Sequence, residues 1–138
     1  MIKTIVVGYD ETEASRRALE RAAALAKAFE SKLVVTSVAP VIVTASARSI
    51  GTDPVETGAD HRAELAQARA YLDGEGLSAD YVEALGHEAE SILDVARERS
   101  ADMIVVGSRE VSGLHRLLGQ SVSNAVAHGA RCDVLIVH

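Results

Sequence analysis

Tryptophan is absent, and the only aromatic residues are Phe29 and three tyrosines. A folded core therefore has to be assembled from Val, Ile, Leu and Ala rather than from rings. Cysteine occurs once, at Cys132. A lone thiol excludes an intrachain disulfide and fits a reducing compartment. Its place just before an apolar run reads as a small core residue, not a reactive thiol. No lysine follows Lys32, which excludes a phosphate loop of the form G-x-x-x-x-G-K-[ST], and no G-x-G-x-x-G stands after any predicted strand. Long apolar runs are missing as well. The opening Met1-Ile2-Lys3-Thr4-Ile5-Val6-Val7 breaks at Gly8, too soon for a signal peptide or a membrane span. The sequence thus predicts a soluble, cytoplasmic protein with no membrane partner.

Concentrated positive charge is the last absence. The 14 Lys and Arg residues are scattered among 20 Asp and Glu, for a formal charge of -6, whereas nucleic-acid phosphates are bound by clustered cations. Arg16, Arg17, Arg21 and Lys27 share one predicted helix with Glu13, Glu20 and Glu30, a solvated face with local charge pairs. No nucleic-acid partner is expected. The 138 residues suit one domain, and a chain of that size buries roughly 70% of its unfolded surface without staples.

What is present is a regular alternation. Ile5-Val6-Val7 is a β-branched run ending in Gly8-Tyr9-Asp10, the pattern of a strand buried on both faces. Thr12 suits an N-cap, with Glu11 and Glu13 near the positive end of a helix. Ala14, Ala18, Ala22, Leu25, Ala26 and Phe29 recur at helical spacing. A second strand, residues 33–38, stops before Pro40. Residues 40–60 lack periodicity and read as a mobile loop. A second helix covers residues 61–72 and ends at Gly74 and Gly76. Residues 81–85 form a weaker strand, and Ala89, Ile92, Leu93 and Ala96 mark a third helix. A fourth strand, residues 103–106, ends in Gly107-Ser108. A short helix carrying Val122, Ala125 and Val126 and a last strand, residues 134–137, follow. The order β-α-β-α-β-α-β-α-β implies one α/β domain over residues 1–138, with a parallel sheet and helices on both faces.

Ligands of such sheets bind beyond the carboxyl ends of the strands, where the strand order reverses. With order 3-2-1-4-5, that crevice lies between strands 1 and 4, at Gly8-Tyr9-Asp10 and Gly107-Ser108-Arg109. Residues 107–123 hold three glycines and four serines between a buried strand and a helix start. Glycines allow close approach to a phosphate, and a helix N-terminus offers unpaired N–H groups to an anion. Ser121 and Ser123 add hydroxyls. By composition alone, a ligand-free Gly-rich turn with a capped helix fits equally well.

The chain resembles the universal stress protein family along essentially its whole length. The resemblance is carried by Ile5-Val6-Val7-Gly8-Tyr9-Asp10, by Ala14-Ser15-Arg16-Arg17-Ala18-Leu19 and by Gly86-His87-Glu88-Ala89. It is most specific at residues 101–109, with Met103-Ile104-Val105-Val106-Gly107-Ser108-Arg109, and in Cys132-Asp133-Val134-Leu135-Ile136-Val137. It implies a five-stranded sheet of order 3-2-1-4-5, of the Rossmann-like, adenine-nucleotide-hydrolase-like kind. It also implies a homodimer paired through residues 134–137, which would cover an apolar edge. Members of the family include binders of ATP, AMP or cyclic AMP, with Mg²⁺ accompanying ATP. On that resemblance Asp10 and Val38 lie at the adenosine. Gly107, Ser108, Arg109, Gly119, Gln120, Ser121, Val122 and Ser123 lie around the phosphates.

The family's phosphate loop has the pattern G-x2-G-x9-G-[ST], and this chain departs from it. Gly107 matches the first glycine and Ser121 the final position, but Glu110 and Gln120 stand where the other two glycines belong. A one-residue deletion restores Gly119 and moves Gln120 onto the [ST] position. A carboxylate at about 4 Å from a phosphate, at an effective dielectric near 20, opposes binding by about 4 kcal/mol, less when exposed. Arg109, His115 and Arg116 offer partial compensation.

Chemistry beyond binding finds little support. None of His61, His87, His115, His128 and His138 forms H-x-x-x-H or zinc-ligand spacing with Cys132. There is no G-x-S-x-G elbow, and Asp10 with Ser108 lacks a general base. The expectation is not an enzyme. A nucleotide sensor leads, a dimeric interaction protein with an unidentified protein partner and no nucleotide is the alternative, and a weak ATPase comes third.

Overall fold

A computed structural model of the chain describes residues 1–39, 58–108 and 121–138. Five strands and four helices alternate among them: β1 (Thr4–Gly8), α1 (Glu13–Phe29), β2 (Lys32–Ala39), α2 (Gly58–Gly74), β3 (Ala79–Leu85), α3 (Glu88–Glu98), β4 (Met103–Gly107), α4 (Val122–Gly129) and β5 (Asp133–Val137). The strands form one sheet of order β3-β2-β1-β4-β5, parallel throughout. The expected α/β architecture is therefore present. Boundaries differ most at two places: α2 starts at Gly58, inside the stretch read as loop, and β3 begins two residues early, at Ala79. The rest of that expected loop, residues 40–57, lies outside the described residues.

The pleat explains the aliphatic runs. Alternate residues of a strand face opposite sides, and here both sides are covered. Ile5, Val7, Leu33, Val35 and Val105 join Ala18, Leu19, Ala22 and Ala26 of α1 and Leu65, Ala68 and Leu72 of α2. Val6, Val34, Ile104 and Val106 join Ile92, Val95 and Ala96 of α3 and Val126 of α4. Tyr9, 5% exposed, is the one aromatic ring among the buried core residues, and the small alanine face of α1 lets its backbone approach the sheet.

Polar ties hold the periphery. The Asp102 carboxylate accepts the N–H groups of Lys3 at 2.8 Å and Thr4 at 3.0 Å, and these bonds hold its carboxyl below the usual carboxylate range. Asp80 on β3 binds Lys32 at 3.0 Å and Arg99 at 2.6 Å, with the same effect on its carboxyl. Burial pushes the Cys132 thiol up, in keeping with its reading as a packed, unreactive residue.

Candidate functional site

The walls of the crevice between β1 and β4 come from five elements. It is lined by Gly8 at the end of β1 and Asp10 just after it, Thr12, Ala14 and Ser15 at the start of α1, and Glu88 and Ile92 of α3. Val106 and Gly107 of β4 and Val122 of α4 complete it. The floor is tight, about 20 Å³, room for one water rather than a purine. Any larger ligand lies across the crevice, not at its bottom.

The β1–α1 turn is locked by its own side chains. Asp10 Oδ1 accepts Thr12 N–H at 3.1 Å and the Thr12 hydroxyl at 2.5 Å. Thr12 Oγ1 in turn caps α1 by accepting Ser15 N–H at 3.2 Å, and Ser15 Oγ accepts Asp10 N–H at 3.2 Å. Glu11 closes the turn with φ 64°, a left-handed conformation that costs a non-glycine residue about 1 kcal/mol. The predicted N-cap at Thr12 is thus present, and it also fixes the orientation of Asp10.

Gly107 ends β4 against the first turn of α1. A Cβ placed on it would lie 2.5 Å from the carbonyl carbon and oxygen of Ala14. Here the absent side chain serves helix packing. Ser108 N–H donates to Val137 O at 2.8 Å, so this donor belongs to the sheet ladder, and the Ser108 side chain is half-buried. Ser121 caps α4 by accepting Asn124 N–H at 3.2 Å, and its hydroxyl lies 3.1 Å from that of the buried Ser123. Val38 sits near the end of β2, half-buried against the α3 side. Asp10, Gly107 and Val122 meet in the crevice. Arg109, Gly119 and Gln120, like Glu110, lie outside the described residues.

Two features escaped the sequence. Thr36 on β2 is 1% exposed, and its hydroxyl has no hydrogen-bond partner among the described residues. Its carbonyl accepts Tyr9 N–H at 2.9 Å, which carries the β1–β2 pairing past Gly8. On the opposite face the buried Ser37 and His61 cluster with the partly exposed Glu64. Ser37 Oγ donates to Glu64 Oε2 at 2.6 Å, and His61 Nδ1 lies 3.1 Å from both Ser37 Oγ and Glu64 Oε2. The carboxylate only accepts, so Nδ1 carries the proton. A hydrolytic relay needs the serine and the acid on opposite ring nitrogens, whereas here both approach the same one. The cluster ties α2 to β2.

Comparison with known proteins decides the family. The model of the universal stress protein family matches residues 1–138. This chain belongs to it. Universal stress protein YxiE of Bacillus subtilis (strain 168) is 33% identical over 147 residues, covering 99% of each chain. The crystal structure of a universal stress protein in complex with cAMP superposes with a TM-score of 0.78 at 28% identity, covering 99% of this chain and 97% of that one. A universal stress protein family protein from Arabidopsis thaliana, solved with AMP bound, gives a TM-score of 0.72 at 17% identity over 98% of this chain and 90% of that one. That last likeness is one of fold. Among the described residues, no helix of this universal stress protein is long and apolar enough to cross a membrane.

Proposed function

We propose that this universal stress protein binds an adenine nucleotide across the β1–β4 crevice and acts as a sensor rather than a catalyst. The observation that carries the reading is convergence. The N-termini of α1, α3 and α4 all open on the crevice, through Thr12, Ala14 and Ser15, through Glu88 and through Val122. Each helix end contributes about half a positive charge and unpaired N–H groups. The adenosine would lie over Asp10 and Val38. The phosphates would lie toward Gly107, Ser108, Ser121, Val122 and Ser123, with Arg109, Gly119 and Gln120 beside them, and ATP would bring Mg²⁺. The cAMP carried by a structural relative supports a nucleotide as the ligand class. Glu110 and Gln120 make the phosphate loop degenerate, so affinity is expected to be modest. Isothermal titration with ATP, AMP and cyclic AMP should give a saturable heat for one of them, and a Glu110→Gly/Gln120→Gly double variant should bind that ligand more tightly. Silence for all three in both proteins would leave the alternative, an interaction protein of the same fold.

The sensor is further read as a homodimer through β5. The two sheet edges differ. On β3, Asp80 is held by Lys32 and Arg99, Glu83 faces Arg62 at 3.8 Å, and Arg69 stacks on Tyr81 at 4.5 Å. Charges of this kind discourage strand addition. On β5, Val134, Leu135 and Ile136 remain half-exposed, which favours pairing with a second copy. Light scattering at tens of micromolar should return the dimer mass; a monomer would remove this part of the reading.

A further inference from the structure

We propose that the groove between the C-terminal ends of α3 and α4 binds a medium-chain aliphatic carboxylate, its chain against Ala96 and Ile104 and its carboxylate on Arg131. The inference does not rest on the nucleotide reading. The groove lies at the amino ends of β4 and β5, whereas the β1–β4 crevice lies at the carboxyl ends of the strands.

The two helices come close at Gly129, where a Cβ would lie 2.6 Å from Leu93 Cδ1. Beyond that contact both stop, α3 at Glu98 and α4 at Gly129. The chain leading into β4 and β5 continues with the small side chains of Ala101, Ala130 and Cys132, which do not fill the space between the helix ends. A groove of about 440 Å³ is left, within the usual size of a small-molecule site. Its floor includes Ala96, 6% exposed, and the fully buried Ile104. Apart from Ser100 and the Cys132 thiol, the polar side chains of the lining are Arg97 and Arg131. Such a surface suits a hydrocarbon chain rather than a peptide, whose amides would lose water without gaining partners. Charge decides the head group. The described lining holds two guanidiniums and no acid. Arg97 is engaged by Asp94, whereas Arg131 is exposed and makes no ion pair among the described residues. The acids nearby are engaged or turned away. Asp102 accepts the N–H groups of Lys3 and Thr4, and Asp133 alternates to the sheet face opposite Cys132, Val134 and Ile136. Glu98 falls on the far side of α3 from Leu93, Ala96 and Ser100 by helical periodicity. The helix ends add about half a negative charge each and cancel much of the positive excess. Recognition is therefore a direct, two-bond pairing of the carboxylate with the Arg131 guanidinium, not attraction by a broad positive field.

The test is calorimetric titration of hexanoate, octanoate and decanoate, with octanol and octylammonium as head-group controls, at concentrations where each is monomeric. Affinity for the three acids should rise about fourfold per added methylene, the transfer value for a buried CH₂. Arg131→Ala should bind octanoate about fivefold more weakly than wild type, the size of one exposed ion pair, and octanol equally well. Arg131→Glu should prefer octylammonium to octanoate. Thermal melts check that each variant is folded. Cys132 is the single cysteine and lines the groove, so its slow alkylation by iodoacetamide, followed by mass spectrometry, should slow further when octanoate saturates the protein. Octanol and octylammonium binding wild type as tightly as octanoate, or an unchanged preference in Arg131→Glu, would overturn the proposal at its head group. Saturable octanoate binding that leaves Cys132 alkylation unchanged would overturn it at its location. No heat from any of the three acids would overturn it altogether, and the nucleotide reading would stand or fall separately.

Discussion

Gly107→Ala is expected to destabilise the protein by about 3 kcal/mol, the upper part of the range for overpacking. The added methyl would stand 2.5 Å from the backbone carbon and oxygen of Ala14 and 2.9 Å from its Cβ. Backbone atoms cannot rotate aside as a side-chain tip can, so the first turn of α1 would have to move as a unit. That turn carries Thr12 and Ser15, which hold Asp10, so nucleotide affinity should fall together with stability. Urea unfolding followed by circular dichroism measures the first effect and titration the second. Gly74→Ala is the control. It ends α2, and a Cβ there meets nothing within 4 Å, so it should be neutral or stabilise by about 0.5 kcal/mol through the unfolded chain. A Gly107→Ala protein as stable as wild type would show that β4 and α1 do not approach this closely.

Ile92→Ala should cost about 3 kcal/mol, within the usual range for truncating a buried isoleucine to alanine. Ile92 is 1% exposed, packs with Val6, Val34, Ile104 and Val106, and also lines the crevice. Its Cδ1 lies 2.9 Å from where a Cβ on Gly8 would stand, which turns the prediction into a cycle. Gly8→Ala alone should cost about 1 kcal/mol, less than Gly107→Ala, because the obstacle is the tip of a side chain. In an Ile92→Val background, which lacks Cδ1, that cost should largely disappear, a coupling of about 1 kcal/mol. Additive effects in urea unfolding would mean that Gly8 and Ile92 do not share this space.

The elements themselves were legible because their signals are local. The runs Ile5-Val6-Val7 and Met103-Ile104-Val105-Val106 announced strands covered on both faces, and both faces are covered. Thr12 read correctly as a cap. Element ends were less legible: Ala79 and Asp80 join β3 through pairing with Leu33 and Val34, an influence that a short polar start does not advertise. Within the candidate site, Asp10, Gly107 and Val122 were singled out and do meet. The part assigned to the glycine of Gly107 was incomplete, since its bare backbone accommodates Ala14. Glu88 and Ile92 were visible only as a turn residue and a helix-face residue, for nothing in their spacing points to a crevice.

The sequence by itself determined the order of elements and the aliphatic, disulfide-free core, because composition and short-range periodicity specify these, and the family through the resemblance of its motifs. Only the tertiary structure decided what faces what. The Asp102 clamp on Lys3 and Thr4 joins residues 99 and 98 positions apart, and the Ser37–His61–Glu64 cluster joins a strand to a helix. The meeting of three helix ends with two carboxylates at one crevice is of the same kind. Each depends on distances set when parallel strands stack β3-β2-β1-β4-β5. Such distances arise from long-range packing, and no local pattern of residue types encodes them.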